Sequence, residues 1–218
     1  MGDYHPAVEE YLETILEIEE SGVPAMRARL VERLGVSAPA VSQTVARLER
    51  EGYLNLDEHN VMRLTTSGRA YATAVMRRHR LAERLLVDVL KVPWHQIHEE
   101  ACRLEHAISD NLEKHLIALL GDPSTCPHGN PIPGSANSEG PRALTPLASL
   151  SNGSSSVVRR IDEELEARPG QMLELETAKL MPGFAVTVDA SGSAYELTVD
   201  GSPQTLAREV AEKIYVDA

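Results

Sequence analysis

Val36–Leu54 reads VSAPAVSQTVARLEREGYL. Ser37 is a residue type whose side-chain oxygen satisfies the free amides at a helix start. Pro39 is tolerated in a first helical turn, where a missing N–H has no intrahelical acceptor to lose. Val41, Val45 and Leu48 recur at helical spacing and form one apolar stripe before Gly52 stops the helix. Just upstream, PAMRARLVERLG (24–35) reads as a shorter helix closed by Gly35 as a C-cap. Two short helices meeting at Gly35-Val36, the second opening on small polar residues, predict a helix-turn-helix. Downstream, YLNLDEHNVMRLT (53–65) predicts two short strands around a turn at Asp57–Asn60, the wing of a winged helix. Upstream, AVEEYLETILEIEE (7–20) spaces Val8, Tyr11, Leu12, Ile15 and Ile18 as the stripe of a first helix. A helical hairpin with an unrelated β-ribbon is the competing reading, but helix lengths, turn and hairpin all agree on the winged form.

The 218 residues carry a net charge of −12 and are 42% hydrophobic, enough chain for one large domain or two to three small ones. So acidic a molecule does not coat nucleic acid indiscriminately. Its basic residues are placed unevenly, however. Between Met26 and Arg50, Arg27, Arg29, Arg33, Arg47 and Arg50 outnumber Glu32 and Glu49, whereas residues 1–20 hold no Lys or Arg. No apolar run approaches the roughly 18 residues needed to span a bilayer, no secretory leader is evident, and a cytoplasmic protein without membrane partners is expected. Two cysteines, Cys102 and Cys126, do not make a disulfide framework.

Beyond the wing, TSGRAYATAVMRRHRLAERLLVDVL (66–90) predicts a long helix, followed by a second over WHQIHEEACRLEHAISDNLEKHLIALLG (94–121). Their apolar faces are wide enough to bury against more than one partner, so a helical dimerisation domain is expected. Six of the thirteen prolines lie between Gly121 and Leu150, and with SNGSSS (151–156) this stretch reads as a linker. VVRRID, FAVTVDA and AYELTVD then read as short strands of a small β-barrel, with PGQMLELETA (169–178) as a helical insertion.

The chemistry concentrates in EACRLEH, Glu100 to His106. With His98 one turn earlier, Cys102, Glu105 and His106 fall at i, i+4, i+7 and i+8, so a continuous helix would set four N, O and S donors on one face. A half-buried face with a structural thiol is the bland alternative, but an apolar core seldom tolerates such an inventory unpaired. His79 and Glu83 repeat the i, i+4 spacing one helix earlier. Carboxylates and imidazoles outnumber thiolates, which suits Mn(II), Fe(II), Co(II) or Ni(II) better than a closed structural zinc site.

A winged helix followed by helices with these donors resembles the diphtheria-toxin-repressor family of metal-dependent transcriptional repressors. The resemblance is carried by EEYLETILEIEESGV, RARLVERLGVSAPAVSQTVARLEREG, AVMRRHRLAERLL, HEEACRLEHAISD and HGNPIPG. It implies a mainly α protein with small β parts: a winged helix-turn-helix DNA-binding domain over 1–73, a helical dimerisation and metal-binding domain over 74–140, a linker over 141–156 and an SH3-like β-barrel over 157–218. It further implies two divalent ions per protomer, one held by Glu10, Cys102, Glu105 and His106. The other would be held by His79, Glu83 and His98 with Glu163 and Glu166 of the last domain.

Ser37, Pro39, Ser42, Gln43 and Thr44 would face DNA, with Arg27, Arg47 and Arg50 on phosphates. The target would be a palindromic double-stranded operator bound by one homodimer, or by two. Iron-responsive members of the family carry a methionine where this chain has Glu10, and manganese-responsive members carry acids there and at the position of Glu13. A hard oxygen in place of a soft thioether favours Mn(II) over Fe(II), with Co(II) or Ni(II) as substitutes, although Cys102 stands where many manganese sensors have an acid. A repressor of metal-homeostasis genes is therefore expected, and not an enzyme. A metal-buffering protein would need the donors but not SAPAVSQTV. A metal-dependent hydrolase lacks support, because no phosphate loop, nucleophile elbow or HExxH occurs.

Overall fold

The computed structural model describes residues 7–137, 143–192 and 194–218. The first residues of the expected DNA-binding domain and the start of the expected linker, 141–142, lie outside the described residues. The chain divides into two compact units, Met1–His79 with Leu104–Ser109, and Arg80–Arg103 with Asp110–Ala218.

In the first unit, α1 (Ala7–Glu20), α2 (Arg27–Leu34) and α3 (Ala38–Arg50) precede a hairpin of β1 (Leu54–Leu56) and β2 (Met62–Leu64). Helix α4 (Thr66–Arg84) follows and belongs to this unit as far as His79. The stripes foreseen on α1 and α3 meet as one core: Leu12, Ile15, Leu30, Val41, Val45, Leu48, Leu54 and Met62 are fully buried or nearly so. Ser37 caps α3 by accepting from the Ala40 amide at 3.4 Å, and Gly35, at φ 64°, closes α2 in the left-handed conformation. The antiparallel hairpin pairs Leu54 with Leu64, so the winged helix-turn-helix is present as expected. Gly68 is required where α4 crosses the wing, because a Cβ there would lie 1.8 Å from the Tyr53 carbonyl oxygen.

In the second unit, α4 ends in a π-turn at Leu85–Val89, and a 3-10 turn at Trp94–Gln96 leads into α5 (Ile97–Leu104). The single helix expected over 94–121 is two helices. α5 stops at Leu104, Glu105–Ala107 form a 3-10 turn, Ile108 is extended, and α6 (Asp110–Leu120) begins afresh. Ser109-Asp110 supplies the chemistry of a new helix start, which competes with continuation of the first. Glu105 and His106 therefore do not continue the α-helical face of His98 and Cys102.

The rest of this unit is an antiparallel sheet of β3 (Leu144–Pro146), β4 (Ser155–Ile161), β5 (Ala185–Ser191), β6 (Ala194–Val199), β7 (Ser202–Ala207) and β8 (Ile214–Asp217), in the order β3-β8-β4-β5-β6-β7. Short helices α7 (Glu163–Glu166), α8 (Gln171–Thr177) and α9 (Arg208–Ala211) interrupt it. Its pattern agrees with an SH3-like fold, but the sheet has edges at β3 and β7 and is not the closed barrel expected.

The Pro-rich stretch is also not a solvated linker. Cys126, His128, Asn130 and Ile132 are buried, the Pro127 carbonyl accepts from Trp94 Nε1 at 3.2 Å, and the His128 carbonyl accepts from the Ile161 amide at 2.8 Å. From residue 143 onward, the segment read as linker contributes β3, a 3-10 turn and the start of β4. Among the described residues no helix is long and apolar enough to cross a membrane.

Candidate metal centre

Within the first unit, three elements bring acids and imidazoles together. α1 supplies Glu9, Glu10 and Glu13, α4 supplies His79, and the 3-10 turn supplies Glu105 and His106. Glu13, His79 and Glu105 are all buried, and one ligand atom from each lies within 4.8 Å of the others. His79 Nδ1 is 2.5 Å from Glu105 Oε2 and 4.0 Å from Glu13 Oε1. Burial, then the charge of Glu105, pushes the Glu13 carboxyl well above the ordinary carboxylate range, against the pull of His79. Glu10, at the solvent edge, is raised by partial desolvation and then by Glu105. Glu13 Oε1 and Glu105 Oε1 are buried without a hydrogen-bond donor among the described residues. Two such oxygens beside one imidazole are costly in a protein interior, and a divalent cation is the partner that removes the cost. The donors fit a hard or borderline metal. His106 completes the group, with Nε2 3.2 Å from Glu105 Oε1 and Nδ1 2.6 Å from Glu9 Oε2, and burial lowers its pKa.

The second unit holds a separate set. His128 Nδ1 lies 2.9 Å from both Glu83 Oε1 and Glu166 Oε2, and His98 Nδ1 is 3.1 Å from Glu166 Oε2 and 4.0 Å from Glu83 Oε1. Burial alone would lower the pKa of both imidazoles. For His128 it is outweighed by Glu166 and Glu83, and for His98 by Cys102 and Glu166, so both are raised. Glu166 is correspondingly lowered: burial opposes ionisation, but His128 prevails. Cys126 joins Glu83 and His128 in one buried cluster, and burial followed by the Glu83 charge pushes its thiol up to about 12. That thiol stays protonated unless a cation displaces the proton.

Glu105 and His106 lie beside Glu13 and His79, with Glu10 at their edge. Glu83, His98 and Glu166 come together as expected, and His128 and Cys126 lie beside them. Cys102 stands beside His98, its Sγ 3.7 Å from Nε2. Glu163, expected as a ligand, is turned to Arg80, whose Nε and second guanidinium nitrogen reach its Oε1 at 3.0 and 2.8 Å. His128 and Cys126 were missed because Cys126-Pro127-His128 sits in a stretch whose Pro and Gly content imitates a linker. The spacing of a thiol and an imidazole two residues apart was the available signal.

On the reading head, Ser37, Pro39, Ser42, Gln43 and Arg50 are exposed, while Arg27 and Thr44 are half-buried. Arg47 is exposed and paired with Glu51 at 2.8 Å, a contact weak enough to be exchanged for a phosphate.

The sequence models for two domains match the chain: "Iron dependent repressor, N-terminal DNA binding domain" over residues 3–60, and "Iron dependent repressor, metal binding and dimerisation domain" over residues 65–134. The iron-dependent repressor IdeR of Mycobacterium leprae is 43% identical, the alignment covering 100% of this chain and 99% of that one. The diphtheria toxin repressor of Corynebacterium diphtheriae is 38% identical over the same shares. Among solved structures, a manganese-dependent transcriptional repressor in complex with manganese superposes with a TM-score of 0.86 at 32% identity, covering 97% of this chain and 100% of that one. The manganese regulator SloR superposes with a TM-score of 0.81 at 30% identity, covering 98% and 99%.

Proposed function

The chain belongs to the diphtheria-toxin-repressor family of metal-dependent transcriptional repressors, and from that premise we propose that Mn(II) is the metal that activates it. As a member it is a DNA-binding, dimerising repressor that requires a divalent metal, and not an enzyme. The observation that carries manganese is the buried group Glu13, His79 and Glu105, with Glu10 at its edge. Oxygens outnumber nitrogens there, and the group contains no sulfur.

In the first unit Glu10, Glu13, His79, Glu105 and His106 would hold one ion, and in the second Glu83, His98, His128 and Glu166, with Cys126, would hold another. A bound cation supplies the positive charge that lets these acids ionise together. Glu10 and Glu13 then fasten α1 to α4, the helix that leaves the wing, and so steady the reading head. Gln43 reads a base edge, Ser37, Pro39, Ser42 and Thr44 line the same face, and Arg27, Arg47 and Arg50 take phosphates. The target is a palindromic operator of metal-homeostasis genes, bound in the cytoplasm by a homodimer whose symmetry the palindrome matches.

A second reading, an Fe(II)-responsive repressor, is favoured by relatives named as iron-dependent repressors at 43% identity. The deciding experiment titrates the protein anaerobically with Mn(II) and with Fe(II) while following operator binding by fluorescence anisotropy, in parallel with Glu10→Met. Activation at lower free Mn(II) than Fe(II), with the preference narrowed by the methionine, supports manganese. Activation at lower free Fe(II), unchanged by the substitution, supports the second reading.

A further inference from the structure

Glu9 lies outside both proposed ligand sets, yet both of its carboxylate oxygens are engaged. Oε2 is 2.6 Å from His106 Nδ1, and Oε1 accepts from the Tyr71 hydroxyl at 2.7 Å. The Tyr71 ring packs against that of Tyr53, with centroids 5.7 Å apart and planes inclined at 47°. Tyr53 is the residue before β1, and its carbonyl accepts from the Thr65 amide at 3.0 Å at the base of the wing. A continuous line of contacts therefore runs from His106 through Glu9 and Tyr71 to the root of the wing, all within the first unit.

We propose that Glu9 is a positioning residue that orients His106 for metal and, through Tyr71 and Tyr53, links the filled site to the wing. The inference rests on the reading of His106 as a ligand. A carboxylate on Nδ1 fixes the imidazole as the Nδ1–H tautomer, which leaves the Nε2 lone pair, the one nearest Glu105, as the donor to a cation. It also makes that nitrogen a stronger ligand. Tyr71 restrains the other oxygen, so the carboxylate cannot turn away from His106 without breaking a second hydrogen bond. Burial, followed by that bond to Glu9, pushes the Tyr71 phenol up to about 12, so it remains a donor at any physiological pH. Motion of His106 on metal binding is thereby coupled to the stacked ring that abuts the wing strand.

Glu9→Gln keeps the shape but leaves one acceptor oxygen for two donors, and Tyr71→Phe keeps the ring stack but removes the hydroxyl. Each is compared with the parent and with His106→Ala in three measurements: Mn(II) affinity by calorimetry, the 15N shifts of the His106 ring in chelated protein, and the ratio of operator affinities with and without Mn(II). Glu9→Gln is expected to weaken first-set Mn(II) binding roughly tenfold or more and to lose the pure Nδ1–H tautomer signature. Tyr71→Phe is expected to change Mn(II) affinity less than Glu9→Gln while lowering the metal-dependent gain in operator affinity. A merely structural role would leave the tautomer unchanged. If His106→Ala binds Mn(II) as the parent does, the ligand reading itself fails. If His106→Ala abolishes that binding while Glu9→Gln matches the parent in affinity and tautomer, only the role of Glu9 is overturned. A Tyr71→Phe protein with an undiminished operator ratio refutes the link to the wing.

Discussion

Glu13 is a residue whose two consequences oppose each other. In the metal-free protein it is a buried acid beside Glu105, raised well above its ordinary pKa, and it weakens the fold. With a cation present it would be one of the donors. Glu13→Gln is therefore expected to stabilise the chelated protein by about 1 kcal/mol or more while weakening Mn(II) binding at the first set by at least tenfold. Urea unfolding in chelator and calorimetric titration check the two halves, and a variant that loses both stability and affinity would mark Glu13 as packing only. In the second set His128→Ala is expected to remove one ion from the Mn(II) stoichiometry while leaving first-set affinity within about threefold, since His128 touches none of the first-set donors and effects of residues without a direct contact are close to additive. Glu105, His106, Glu83 and His98 were legible as donor candidates because helical spacing groups polar residues before any fold is known, whereas Glu10 was reached only through the family resemblance. His79 was legible as a donor candidate from its spacing to Glu83 on α4, but its packing beside Glu13 and Glu105 inside the first unit was not, because no local spacing ties α1 and the 3-10 turn to α4.

Elements differ in how much of their structure is local. Helix α3 carries its cap, its stripe and its stop within nineteen letters, Val36–Leu54, so its reading needed nothing from elsewhere. The loop Cys126–Asn130 carries the opposite kind of information. The Pro127 and His128 carbonyls and the Asn130 side chain are satisfied by distant partners: Asn130 Nδ2 donates to the Ile161 carbonyl and to Glu166 Oε1, both at 3.1 Å, and next to the loop Arg80 reaches the Pro131 carbonyl at 2.5 Å. Composition sees only Pro and Gly there and reports a solvated chain. Gly129 is the sharpest instance. It sits at φ 88°, and a Cβ on it would meet the Arg159 carbonyl oxygen at 1.9 Å, so backbone must move to admit any side chain. Gly129→Ala is expected to cost about 2–4 kcal/mol in urea unfolding and to lower Mn(II) affinity at the second set, because His128 is its neighbour. Unchanged stability would show that β4 yields easily and that the loop is not wedged. The sheet beyond was only half legible for a related reason. β6 alternates cleanly, whereas the edge strand β7 is largely exposed and includes Pro203, a composition that reads as turn until β6 supplies its partner.

At the scale of the whole chain the charge of −12 must be reconciled with DNA binding, since every phosphate approached is approached by a net anion. Two divalent ions would bring −12 to about −8 if no protons left. Proton release lessens the gain, because the Cys126 thiol and the raised Glu13 carboxyl hold protons that a cation displaces. On the proposed reading the electrostatic share of activation would be smaller than the ion count implies, and the remainder would come from steadying the reading head. The two shares respond differently to salt. Screening between exposed charges tightens from a Debye length of about 30 Å at 0.01 M to about 8 Å at 0.15 M, whereas the fastening of α1 to α4 depends on buried donors that salt hardly reaches. The ratio of operator affinities with and without Mn(II) is thus expected to shrink severalfold between those ionic strengths and then level off above one. Fluorescence anisotropy on a palindromic operator at fixed free Mn(II) measures it. A ratio that does not move with salt would assign activation wholly to the conformational term, and a ratio that falls to one would assign it wholly to charge, leaving the donors on α1 no role beyond carrying the ion.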